Sequence, residues 1–472
     1  MAERRDQIIA VVLLAAVGVG TVLPWDDLGE VVRGRLTLGG DRAYHPAHPI
    51  QWQEVALEEV HQELLPRWSI AAARPGDPLD QQQEAWAWAA LEEALVVDEN
   101  LLELATALRS AIRKSAWTHH EEIAYLTWAW SHYLEQPGWR LEGRVQDHGD
   151  GTFVTMKTYR VVADTAVPLG DVEQRVRLLR RADHTSITER YLGHAGDGGG
   201  EGALLLADRI EVFALESLWP LMDPALDGQH TGPARAWAAS VREEIGAALS
   251  DEQTAVLQGT AAARAGALRA RQALRDRTDC SGGHVGEIPW QGVSVWFAAR
   301  LRQAAVRDRD VPCPVVTEDE AEALAARFDA EGLEAALEAL VAHAARATAL
   351  HEAQHLADRA QPPRCEGADF CATVGLDADA VGELSAYLTS FASAEVGGTA
   401  FYQACLATHR GTGSHARAVA VAARALLPRG CVNPPPEALA TQAQALRAEW
   451  RGERVPPRLA TGFPQRVALS GY

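Results

Sequence analysis

Five residues, His351-Glu352-Ala353-Gln354-His355, constrain this chain more than any other segment, because they ask for a helix and give it one chemical face. At about 3.6 residues per turn, positions i and i+4 lie one above the other, so both imidazoles can reach the same metal ion. Glu352 follows the first histidine directly and is swept to the side where an attacking water would sit. Two histidines on an exposed helix face would spell the same letters, so the flanks must decide. From Thr317 to Leu350 the chain is rich in Ala, Leu and Glu, all strong helix formers, and only Gly332 interrupts the run.

A catalytic zinc commonly takes three protein ligands and leaves a fourth position for water. The motif and its uncharged flanks, Thr348, Ala349, Ala353, Gln354, Leu356 and Ala357, resemble the extended pattern of zincin metallopeptidases. The metzincin version would need Gly at 358 and His at 361, where this chain has Asp358 and Gln361. A second helix-like stretch, DAVGELSAYLTSFASAE, begins near Asp379, after the breaker Gln361-Pro362-Pro363-Arg364. In it Glu383 stands where gluzincins place a glutamate ligand. The resemblance covers about a tenth of the chain and implies zinc held by His351, His355 and Glu383. Glu352 is then the general base and a peptide or protein is the substrate. Asp377, Asp379 and Glu395 compete as third ligand. Where thermolysin-type enzymes carry an Asp four residues after that glutamate, this chain has Tyr387. That departure leaves the orientation of the ligand histidine open. Tyr387, a catalytic candidate, and Tyr402, His409 and His415 all lie downstream where an oxyanion donor could come from, and the sequence does not choose among them. His343, eight residues before His351, suits a structural role better than ligation.

The amino terminus addresses the compartment. Arg4 and Arg5 precede Ile8 to Leu23, a run without a charge. It falls just short of a usual spanning helix of about 17 to 25 residues, yet exceeds a usual signal-peptide core of about 7 to 15. The missing Ala-x-Ala and the interfacial Trp25 favour an uncleaved anchor over a cleaved signal. Residues 1–7 then form a cytoplasmic tip, residues 8–23 sit in the lipid bilayer, and the bulk is extracytoplasmic; with cleavage the protein is secreted. The six cysteines, Cys280, Cys313, Cys365, Cys371, Cys405 and Cys431, all fall late in the chain and none shows C-x-x-C spacing. An even number suits disulfides in an oxidising compartment, and Cys365 with Cys371 would close the loop between the two ligand helices.

Sixty-four acidic against 44 basic residues give a net charge of −20, which offers no positive groove to nucleic acid. The 472 residues leave room for several packed regions. Residues 24–137 read as helical, broken at Pro66 and at Pro75-Gly76-Asp77-Pro78, with Trp86, Trp88, Trp128 and Trp130 filling the core. His119-His120-Glu121-Glu122 lacks the i, i+4 histidine pair and reads as an exposed helical turn. Residues 138–225 read as a small antiparallel sheet of about four strands around a hairpin at His148-Gly149-Asp150-Gly151. The type of Leu204 to Met222 stays open. Residues 226–277 read as a helical connector, and residues 278–472 as the zincin-like domain, in which the substrate-binding edge strand is not located.

The expectation is an α+β protein, mainly helical: a membrane-anchored, extracytoplasmic zinc metallopeptidase. The alternative is a membrane-tethered, non-enzymatic scaffold with a structural or vestigial metal site. A helical protein with an accidental motif comes third and would neither bind metal nor respond to chelation.

Overall fold

Gly332 fixes where the motif helix begins. Its φ of 81° lies in the left-handed region that glycine enters without steric cost, and the helix runs on from Leu333 to Ala360. The apparent interruption in the helix-forming run is thus a start. The computed structural model describes residues 44–72, 78–115, 119–147, 152–183, 192–195, 202–225, 233–275, 305–307, 317–319, 321–322, 331–363, 376–408, 413–426, 431, 438–459 and 462–470.

Four helices come first: α1 (Leu65–Ala72), α2 (Pro78–Leu95), α3 (Glu99–Ser115) and α4 (His120–Tyr133). Pro66 does not break the chain as expected. A wide π-type turn, Val60–Leu64, runs directly into α1 and accommodates the missing N–H and the bulk of the ring. Trp88 and Trp130 are buried, but Trp86 is 67% exposed and lies outside the core expected for it. His119 to Glu122 lie at the start of α4, with His120 and Glu121 exposed.

The sheet contains β1 (Trp139–Asp147), β2 (Thr152–Leu169), β3 (Val172–Arg181), β4 (Gly193–Ala195) and β5 (Ala203–Leu206), in the order β1-β2-β3-β5-β4. It is mixed and not purely antiparallel, because β3 and β5 run parallel, Val176 facing Ala203 and Leu179 facing Leu206. Two consecutive strands joined by a hairpin must be antiparallel, whereas β5 returns beside β3 only after β4. The first turn of Leu204 to Met222 is therefore strand, and helix α5 (Ala207–Phe213) follows at once.

Helices α6 (Pro233–Ala248), α7 (Asp251–Arg275), α8 (Leu333–Ala360, the motif helix), α9 (Ala378–Phe391), α10 (Gly397–Thr408), α11 (Ser414–Leu426) and α12 (Leu439–Arg451) complete the described chain. One buried cluster joins Val167, Val176, Leu178 and Leu205 of the sheet to Leu337, Leu340, Val341 and Leu350 of α8, and to Trp237, Leu257, Phe391 and Phe401. The sheet and the motif helix thus share a core. Strand β2 also reaches the separate core of the amino-terminal helices through Val154 and Met156, with a register shift between Val161 and Ala163 where it passes from one core to the other.

Cys405 and Cys431 are bonded, with Cα atoms 5.6 Å apart. Cys365 and Cys371 lie outside the described residues, as does the apolar run 8–23. Among the described residues no helix is long and apolar enough to cross a membrane.

Candidate metal centre

Three helices bring the site together. The motif sits in the last third of α8, where alanines at 342, 344, 345, 347 and 349 let neighbouring elements approach closely. Asp377 caps α9, its carboxylate accepting from the Ala380 N–H at 3.0 Å, and this sets the rotation that turns Glu383 toward α8. His415 stands in the first turn of α11.

His351 Nε2 and His355 Nε2 lie 3.2 Å apart. Glu383 places Oε2 3.3 Å from His351 Nε2 and Oε1 3.6 Å from His355 Nε2. Bonds of about 2.0 to 2.1 Å to a tetrahedral zinc would separate neighbouring ligand atoms by about 3.3 to 3.4 Å. The His351–His355 and His351–Glu383 separations match such an edge, while His355 meets the other carboxylate oxygen at 3.6 Å. Glu383 Oε2 is buried and is faced by imidazole nitrogens of His351 and His415 at 3.3 and 2.8 Å.

His415 approaches differently. Its Nδ1 is 2.8 Å from Glu383 Oε2, an ion-pair distance shorter than a ligand edge, and 55% of its side chain is exposed. Taken by proximity alone, His351, Glu383 and His415 form a group whose ligand atoms lie within 4.8 Å of one another. The shorter contact and open position mark His415 as a partner of the glutamate more than as a third corner. Tyr387, one turn after Glu383, puts its ring 4.5 Å from that of His351 and its hydroxyl 3.2 Å from His415 Nδ1.

The charges are mutually supportive. Burial works against the ionised form of Glu383, but the three imidazoles around it outweigh that and hold its carboxyl far below the ordinary range. Burial likewise opposes protonation of His355, yet the contact with Glu383 and the nearby acids push its pKa up. The contact with Glu383 raises His415 as well, against the opposing effect of burial. Burial, with the charges of Glu383 and Glu352, keeps the Tyr387 hydroxyl protonated.

Glu352 is only 7% exposed and has neither a hydrogen bond nor an ion pair among the described residues. Strand β4 passes beside it: a Cβ added at Gly193 would lie 3.0 Å from Glu352 Cγ. Because the Leu206 N–H donates to the Leu192 carbonyl, Leu192 and His194 face β5, and Gly193 and Ala195 turn their backbone groups to the sheet's edge. Arg359, on α8, donates to the Ala195 carbonyl at 3.0 Å. This edge strand escaped sequence reading, which looked for it after Cys280.

The other candidates are placed elsewhere. Asp377 is engaged as a cap and pairs with Arg417. Asp379 and Glu395 are exposed, Tyr402 is buried in the core, and His409 lies outside the described residues. His343 contacts Glu244 and Thr399 at 3.2 and 3.0 Å. A polar network also went unseen. Gln354 donates to Asp358 at 2.7 Å and accepts from Thr389 at 2.9 Å; Thr389 in turn accepts from Arg447 at 3.1 Å, and Arg451 pairs with Asp358 at 3.0 Å. It ties α8 to α9 and α12, fixing the two ligand helices together in place of the missing aspartate.

No protein-family model matches the chain, and no curated protein or solved structure matches it significantly.

Proposed function

We propose that this protein is a zinc metallopeptidase resembling the gluzincins, anchored in a membrane through residues 8–23 with its bulk extracytoplasmic, or secreted if that segment is cleaved. The observation that carries this reading is the convergence of His351, His355 and Glu383, their nitrogens and carboxylate oxygens 3.2 to 3.6 Å apart, with Glu352 between the two histidines of the same helix. When bound, zinc would supply Lewis acidity to a water and to the scissile carbonyl.

The chain's own residues do the rest. The outward backbone groups of Gly193 offer a substrate peptide one more strand to pair with, laid past Glu352. As water adds to the peptide carbonyl carbon, Glu352 takes its proton, and as the C–N bond breaks Glu352 delivers that proton to the departing amine. His415 Nδ1 holds the Glu383 carboxylate at 2.8 Å and stands 3.2 Å from the Tyr387 hydroxyl, so a protonated His415 leaves the Tyr387 O–H free to turn toward the developing oxyanion.

One observation favours the scaffold reading: the proximity of His415, which as a fourth protein ligand would close the centre and make it structural. The two are separated by zinc analysis of the full chain and a peptide-library assay. A peptidase holds about one zinc, loses it in His355→Ala and Glu383→Ala, and keeps it in His415→Ala. Glu352→Gln and Tyr387→Phe then keep zinc and lose about 10²-fold or more in kcat. Zinc lost on removing His415, with no cleavage by the wild type, supports the closed site; folded wild type without zinc sinks both.

A further inference from the structure

A second polar site lies two helical turns before the motif, on the same helix. His343, Arg346, Gln465 and Arg466, with Leu249 and Gln253, line a half-open cavity of about 220 Å³. That exceeds the roughly 150 Å³ of a cavity able to take up benzene, so a small molecule fits. Its charge is unlike that of the whole. In a chain of net charge −20, two arginines and a histidine converge there, and no carboxylate lines the space.

The basic groups are not neutralised by the protein. Neither Arg346 nor Arg466 forms an ion pair with any described residue. Arg346 donates to the Gln465 side-chain oxygen at 2.6 Å, and Glu395 acts on it only through space. His343 is 1% exposed, its Nε2 is taken up by Glu244 and Thr399, and its Nδ1 has no partner. Glu244 is itself occupied, since its carboxylate accepts from the N–H groups of Gly398 and Thr399 at 2.6 and 3.0 Å and so caps α10. Two guanidinium groups beside a cavity, without a carboxylate to pair with, leave donors free for an oxyanion.

We infer that this cavity binds a small oxyanion, the carboxylate or phosphate of a low-molecular-weight ligand, held between Arg346 and Arg466. Arginine suits both chemistries because its planar fork donates two parallel hydrogen bonds to either. The site stands apart from the metal centre: eight residues separate His343 from His351, about 12 Å along the helix axis. It does not depend on the peptidase reading.

Isothermal titration of the full chain with inorganic phosphate and, separately, with glutarate tests it, using sodium chloride of equal ionic strength as the reference. Saturable one-site binding of either probe is expected, weakened at least tenfold in Arg466→Gln and in Arg346→Gln. Binding of phosphate alone identifies a phosphorylated ligand, and of glutarate alone a carboxylate. Arg466 is exposed, so its variant decides the matter should Arg346→Gln fail to fold. Titration no different from sodium chloride with both probes, or undiminished affinity in Arg466→Gln, overturns the inference.

Discussion

Glu383 is the residue on which the centre turns, since one carboxylate faces His351, His355 and His415. In the zinc-free protein this makes stability depend on pH with a definite sign. His355 and His415 have folded pKa values above the ordinary 6.5, so their contribution is complete below about pH 6.5 and fades as pH rises through the raised values. Glu383 is depressed, so its contribution is complete above the ordinary 4.5 and is lost only as pH falls toward its folded value. If zinc binds here as proposed, it demands unprotonated imidazoles, and its stabilising effect would grow with pH over the range where the metal-free cluster weakens. Melting temperatures of chelated and zinc-loaded protein should therefore diverge between pH 6 and 8; parallel curves would show that zinc does not use these imidazoles. At this scale the sequence was informative because i, i+4 spacing is local. His351, Glu352 and His355 need no tertiary knowledge to share a helix, whereas Arg447 and Arg451 reach the site from α12, far along the chain.

Among the elements, β4 shows most clearly what local pattern cannot convey. Its three residues, Gly193-His194-Ala195, are strand only because β5 pairs with them, and nothing in their own composition says so. The parallel pairing of β3 with β5 is equally invisible, being a matter of where the chain returns. The helices were easier to read, although Pro66 misled: a π-type turn costs less than the break its ring suggested. Gly193 has a testable place in this arrangement. A methyl group there would lie 3.0 Å from Glu352 Cγ, from the Leu204 carbonyl oxygen and from Leu205 Cδ2, and the backbone and packed leucine cannot all yield. Gly193→Ala should cost about 1–3 kcal/mol by overpacking, seen in denaturant melts. It should also lower kcat by displacing the Glu352 side chain while zinc content stays unchanged. A variant with wild-type stability and turnover would remove β4 from the site.

For the whole molecule, the carboxyl-terminal part and the sheet form one cooperative body. Val167, Val176, Leu178 and Leu205 are fully buried against helices that include α8, each contributing about 1.5–3 kcal/mol. Together that rivals the entire net stability of a typical domain, about 5–15 kcal/mol. A fragment of residues 278–472 should accordingly lack a cooperative thermal transition by circular dichroism, and a sharp melt like that of the full chain would show the sheet to be dispensable. Residues 462–470 are fastened over the same core: the Val467 N–H donates to the Glu338 carbonyl at 3.1 Å, and Ser470 donates to Glu211 at 2.7 and 2.8 Å. Some 259 residues separate Ser470 from Glu211, and 288 separate Arg180 from the Ala468 carbonyl it contacts. Contacts between such distant segments form slowly, because loop closure precedes any reward. On the ribosome, α8 is therefore made well before the segment that covers it, and the growing chain exposes an apolar helix face for as long as those last residues take to arrive. The geometry around His351, His355 and Glu383 is therefore completed late, after the segment that seals the core beneath α8 has been made.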